Sequence, residues 1–161
     1  MKFKEFACAA VMEVLYRAVR SLASSDSRIM KEIALLDHGA VYSIAASPSP
    51  SSPRLTVRVK DGTIEKAKTD NYDVEIIFKS IPAAFRVFTG QMSVAGAYAA
   101  HAFYLYGSIN AAMGFVRIVD IAESCLFPRL ITRRILTKVY RREEPMLLTY
   151  IKLPFYGKKA N

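Results

Sequence analysis

The chain has 161 residues, enough for one domain of ordinary size with a sizeable core and too few for two. With 52% hydrophobic and 23% charged residues it falls among folded proteins, which excludes a disordered or low-complexity role. The formal net charge of +9 is uneven: residues 25–128 carry ten basic and ten acidic side chains, whereas 129–161 carry nine basic against two acidic ones. A neutral apolar body with a basic end suits an anionic membrane surface, a nucleic acid or an acidic partner.

Residues 3–22 space Phe3, Phe6, Ala7, Ala10, Val11, Val14, Ala18 and Leu22 three and four apart, which predicts an amphipathic helix packed through that face. Glu13 and Arg17 interrupt its apolar run and no small-residue cleavage site follows, so the expectation is a helix and not a signal peptide. A second helical piece over 26–36 has Asp26 or Ser27 as its N-cap and ends near Gly39. Residues 39–47 then read as a strand, and SPSPSSP, 47–53, as a loop.

Leu55, Val57 and Val59 alternate with polar residues, and the Asp61-Gly62 pair predicts a hairpin between two antiparallel strands. A fourth strand over 73–80 puts Val74, Ile76 and Phe78 on one face. Pro82 suits the first turn of a helix closed by Gly90, and the small residues of 93–102 suit a short second one. A fifth strand, 102–109, places Phe103, Leu105 and Ile109 on one face and Tyr104 and Tyr106 on the other.

Asn110 is a candidate N-cap for a long helix from Ala111 to Leu126, stopped before Pro128. Its polar residues Arg117, Asp120 and Ser124 form one narrow stripe, expected to face water. A helix on one face of a sheet needs an apolar stripe of roughly 100°, and this one offers far more. It is expected to touch apolar material on more than one side. No stretch reaches eighteen uninterrupted apolar residues, since Arg117, Asp120 and Glu123 break the best candidate, and the expectation is a soluble, cytoplasmic protein.

These elements predict an α+β domain, with helices packed on one face of a mainly antiparallel five-stranded sheet. The domain is expected to span 1–144, with a basic helix at 128–143 and a hydrophobic and basic tail at 145–161. Between 54 and 128 the sequence resembles the sterol carrier protein type 2 domain family. Asp73, Val74 and Phe78 match the family's strand, Phe85 and Gly90 its first helix, and Ala97 its second. Gly107 matches the strand end, and Ala112 and Met113 open the long helix. Ser108 departs from the usual Asp or Asn after the glycine, and Tyr104 and Tyr106 stand where the pattern often has polar residues.

The resemblance implies an apolar tunnel between sheet and helices that holds one acyl, sterol-like or isoprenoid molecule, with no enzymatic chemistry and no cofactor. Phe78, Phe85, Phe88, Met92, Phe103, Leu105, Met113, Phe115, Val116 and Phe127 are the candidate lining residues. Met fits irregular apolar gaps, though each of these side chains alone also suits a plain core. Tyr104, Tyr106 and Ser108 are candidate contacts for a polar head group, with half-exposed sheet tyrosines as the plainer reading. Arg134, Lys138 and Arg141 form a basic stripe for an anionic bilayer, or else the solvated face of an ordinary helix.

His38 and His101 have no carboxylate or cysteine companion in sequence, and Cys8 and Cys125 have no metal-type spacing, so no metal or catalytic site is expected. Ser108 lacks a nucleophile-elbow frame. The alternative function is an interaction or accessory module of the same fold with a filled core, docking an enzyme or forming a homodimer through its apolar tail. Nucleic-acid binding ranks last, because no stacking aromatics interleave with the basic residues.

Overall fold

The structure is a computed structural model, and it describes residues 2–126. The candidates Phe127, Arg134, Lys138 and Arg141, the basic helix and the C-terminal tail lie outside the described residues.

Helix α1 (Lys2–Leu22) opens the chain, and α2 (Ser27–Ala34) follows. The buried side of α1 carries Cys8, Met12, Leu15, Tyr16, Val19 and Leu22. Phe3 and Phe6, expected on the packed face, are 76% and 73% exposed. Ala18 and Leu22 of the expected stripe are buried, but toward the start of the helix the packed side turns to Cys8, Met12, Leu15, Tyr16 and Val19. Ala7 and Ala10 of the expected stripe offer little apolar area to bury, whereas Met12, Leu15 and Tyr16 offer more. Glu13 holds the helix over the sheet through Lys66 Nζ at 2.6 Å. Asp26 caps α2, accepting from the Arg28 backbone N–H at 3.0 Å.

Five strands follow: β1 (Val41–Ala45), β2 (Arg54–Lys60), β3 (Thr63–Lys66), β4 (Val74–Phe78) and β5 (Phe103–Gly107). They form one sheet in the order β3-β2-β1-β4-β5. Asp61 and Gly62 turn the β2–β3 hairpin with φ of 50° and 71°, the left-handed pair that a two-residue turn needs. The sheet is mixed, which corrects the mainly antiparallel expectation. β1 runs parallel to β4 at its centre, with Tyr42 opposite Val74 and Ile44 opposite Ile76. The cause is the segment 67–73, which returns the chain from the end of β3 to the starting end of β1. Seven extended residues reach roughly 23 Å, ample to cross a sheet of this size.

Between β4 and β5 lie α3 (Ile81–Phe88) and α4 (Val94–Ala99), capped by Ser80 and Ser93. Leu55, Val57, Val59, Val74, Ile76 and Phe78 give the sheet one buried apolar face, under α1, α3 and α5 (Ile109–Leu126). Tyr42 stacks on Phe115 of α5 at 4.9 Å, and Phe78 meets Phe88 and Phe103 edge-on at 5.5 and 5.6 Å. On the sheet's other face Arg54 binds the Ser43 hydroxyl at 3.0 Å and pairs with Glu75, so all five residues of β1 are buried.

Helix α5 starts earlier than Asn110 predicts. Ser108 is its cap: the Ser108 hydroxyl accepts from Ala111 N–H at 3.4 Å, and its carbonyl accepts from Ala112 N–H at 2.9 Å. The helix packs on α2, α1, β4 and β5, so its wide apolar arc is used on several sides. Its polar stripe does not face water as a unit. Ser124 is buried and turns its hydroxyl onto the Ile121 carbonyl at 2.6 Å, and Glu123 is buried beside it. Among the described residues no helix is long and apolar enough to cross a membrane.

Candidate functional site

An apolar cavity of about 360 Å³ lies between β4, β5, α4 and α5, within the range of small-molecule pockets. Ile76 of β4 and Phe103 and Leu105 of β5 form its floor. The alternation of β5 aims Phe103 and Leu105 inward and leaves Tyr104 and Tyr106 exposed on the other side. Ser93, Val94, Ala95 and Tyr98 supply the wall from α4 and its cap. Helix α5 supplies Ile109, Ala112, Met113, Val116 and Asp120, spaced three and four apart along a single helical face. Ile109, Met113 and Tyr98 are half or more exposed and mark the open side.

Of the candidate lining residues, Phe103, Leu105, Met113 and Val116 meet in this cavity. Phe78, Phe88 and Phe115 are buried in the core beside it, and Phe85 and Met92 pack partly buried against that core. Lys4 Nζ sits 5.6 Å from the centre of the Phe85 ring. Tyr104 carries Lys79 Nζ over its ring at 5.0 Å and, like Tyr106, faces away from the cavity. Ser108 borders a separate polar groove with Asp37, His38, Tyr42 and Asp73, where Asp73 accepts from Val41 N–H at 2.7 Å.

Ile76, Ser93, Val94, Ala95, Tyr98, Ile109, Ala112 and Asp120 were not among the sequence candidates. The period of α5 carries the signal for three of them, since 109, 112, 113, 116 and 120 fall on one face. Asp120 matters chemically. Burial pushes its carboxyl up to about 6, and among the described residues no hydrogen bond or ion pair reaches it. Arg117, three residues earlier, donates instead to Glu32 of α2 at 2.9 Å. Glu123, one turn on from Asp120, is pushed up to about 8 by its burial and then by the Asp120 charge.

His38 lies 3.9 Å from Asp61 at the exposed surface, and His101 takes a left-handed φ of 50° before β5. Among the described residues no group of three or more His, Cys, Asp or Glu side chains could hold a metal ion. Cys8 and Cys125 are buried free thiols, and burial followed by Glu5 raises the Cys8 thiol above its usual range.

No protein-family model matches the sequence, and neither does any curated protein. Solved structures do match the fold. The chain is similar to a UbiJ-SCP2 ubiquinone synthesis protein at 15% identity and a TM-score of 0.50, over 75% of this chain and 99% of that one. A palmitated SCP2L2 from Aedes aegypti aligns at 11% identity and a TM-score of 0.46, over 66% of this chain and 92% of that one. The sterol carrier protein domain 2 of Helicoverpa armigera aligns at 12% identity and a TM-score of 0.45, over 79% of this chain and 89% of that one. The chain has a sterol carrier protein type 2-like fold.

Proposed function

We propose that this protein is a non-enzymatic lipid-binding module. It holds one acyl, sterol-like or isoprenoid molecule in the cavity between β5, α4 and α5 and exchanges it with membranes from the cytoplasm. The cavity carries this reading: about 360 Å³ walled chiefly by Ile76, Phe103, Leu105, Met113 and Val116, open beside Ile109 and Tyr98. An apolar ligand there would remove these side chains from water, at about 25 cal/mol for each Å² buried. The sterol carrier protein type 2-like fold supports the same reading. Native mass spectrometry of the protein purified from cells, with uptake trials of a fatty alcohol, cholesterol and a short-chain isoprenoid quinone, tests it. Saturable one-to-one uptake of at least one class is expected, and no uptake of any class overturns it.

A second reading is an accessory module that docks an enzyme or a second copy. The exposed Phe3 and Phe6 of α1 favour it, as does the name of the similar ubiquinone synthesis protein. Under that reading Phe3→Ser with Phe6→Ser abolishes a measurable protein complex and leaves lipid uptake unchanged.

A further inference from the structure

Resting on the lipid-binding reading, we infer that Asp120 sets the ligand class of the cavity: an apolar molecule whose polar end donates a hydrogen bond, such as an alcohol or phenol, in preference to a fatty-acid carboxylate.

Three observations converge on Asp120. Among the described residues it is the only carboxylate lining the cavity, and the side chains lining it from β4, β5 and α4 are uncharged, Tyr98 being the other titratable one. On α5 itself, Arg117 is held toward α2 by Glu32, and Glu123 adds acid and no cation. Among the described residues the cavity's remaining polar side chain is Ser93, whose hydroxyl oxygen accepts from Gly96 N–H at 2.9 Å as the cap of α4.

Position completes the case. From Ile109 to Asp120 the cavity face of α5 runs eleven residues, about 16 Å along the helix axis. Exposure is 60% at Ile109 and 50% at Met113, and Val116 and Asp120 beyond them are only partly exposed. An apolar ligand lying along this face brings its polar end to Asp120 at the inner end. A hydroxyl there supplies the hydrogen bond that the carboxylate lacks. A second carboxylate meets like charge in a poorly solvated place.

The test is displacement of the neutral fluorophore N-phenyl-1-naphthylamine at about pH 8 by three ligands of one chain length: hexadecanol, hexadecyl methyl ether and palmitate. Hexadecanol is expected to bind roughly tenfold or more tighter than the other two, the scale of one hydrogen bond to a charged group. Asp120→Asn, with its fold checked by circular dichroism, is expected to bring palmitate within about threefold of hexadecanol. Palmitate binding as tightly as hexadecanol to the wild-type protein overturns the inference and leaves lipid binding standing. So does an unchanged ratio in the folded Asp120→Asn variant. Failure of all three ligands, in a protein that also takes up no cholesterol or quinone, overturns both.

Discussion

Arg117 Nε donates to Glu32 Oε2 at 2.9 Å, which ties the cation of α5 to α2 and leaves Asp120, three residues later, without a counter-charge from its own helix. The pair is partly exposed, so its direct worth is small, about 0.5–1 kcal/mol. Its larger consequence is electrostatic. Glu32→Ala releases Arg117 to approach Asp120 at the i, i+3 spacing, where the two charges attract. The Asp120 carboxyl is then expected to titrate lower than in the wild-type protein, measured by carbon-detected NMR of the side-chain carboxyl. An unmoved titration would show that Arg117 does not reach it.

Glu123 makes the fold sensitive to pH. Its carboxyl is raised from 4.5 to about 8 in the folded protein, so the folded state holds a proton that the unfolded chain releases near 4.5. Its contribution is therefore fully present below about pH 4.5 and is lost as pH rises toward 8. Above 8 both states are ionised and the dependence ends. Urea denaturation at a series of pH values is expected to show stability falling through this window by on the order of a few kcal/mol. Glu123→Gln is expected to flatten most of it, leaving the smaller slope of Asp120 below about 6.

Two glycines separate steric from conformational demand. A Cβ on Gly107 would lie 2.1 Å from the Asp73 carbonyl oxygen, and its φ is 96°, so neither the backbone angle nor the space admits a side chain. Gly62, with φ of 71°, has nothing within 4 Å of its Cβ position. Gly62→Ala is expected to cost about 1 kcal/mol for the left-handed angle alone. Gly107→Ala is expected to cost roughly 2–4 kcal/mol, because β5 must move off β4 as well. Comparing urea midpoints of the two variants checks the ranking.

Much of this architecture was legible in the sequence because local rules and burial agreed. Asp61-Gly62 carries its own turn, Pro82 marks a helix start, and the period of two in β2, β4 and β5 sorted inward from outward side chains. What stayed hidden depended on choices between locally equal options. α1 has apolar side chains beyond the expected stripe, and only the tertiary fit selects Leu15 and Tyr16 over Phe3 and Phe6. Asn110 and Ser108 are both good caps, and the abrupt end of β5 at Gly107 selects Ser108. The parallel pairing of β1 with β4 depends on the route of 67–73, which has no strand-like pattern to announce it. At the site, hydrophobicity picked out Phe103, Leu105, Met113 and Val116 but also the core phenylalanines, since both environments take the same side chains. Asp120 was hidden by the rule that acids face water, and among the described residues it is the one charged side chain that meets the cavity.

Filling the cavity distinguishes a binding site from a packing defect. Val116 is partly buried at the middle of the α5 face, with Met113 one step toward the open side and Asp120 one turn inward. Val116→Trp puts an indole into the cavity among its apolar lining, on a different face of the helix from the Tyr42–Phe115 stack, so it gains apolar contacts. The variant is expected to melt at or above the wild-type temperature and to bind hexadecanol at least tenfold more weakly, read by displacement of the neutral fluorophore. Val116→Ala enlarges the same space and is expected to lower stability by about 1 kcal/mol while still taking up ligand. Wild-type uptake by a stable Val116→Trp protein would move the ligand site elsewhere in the molecule.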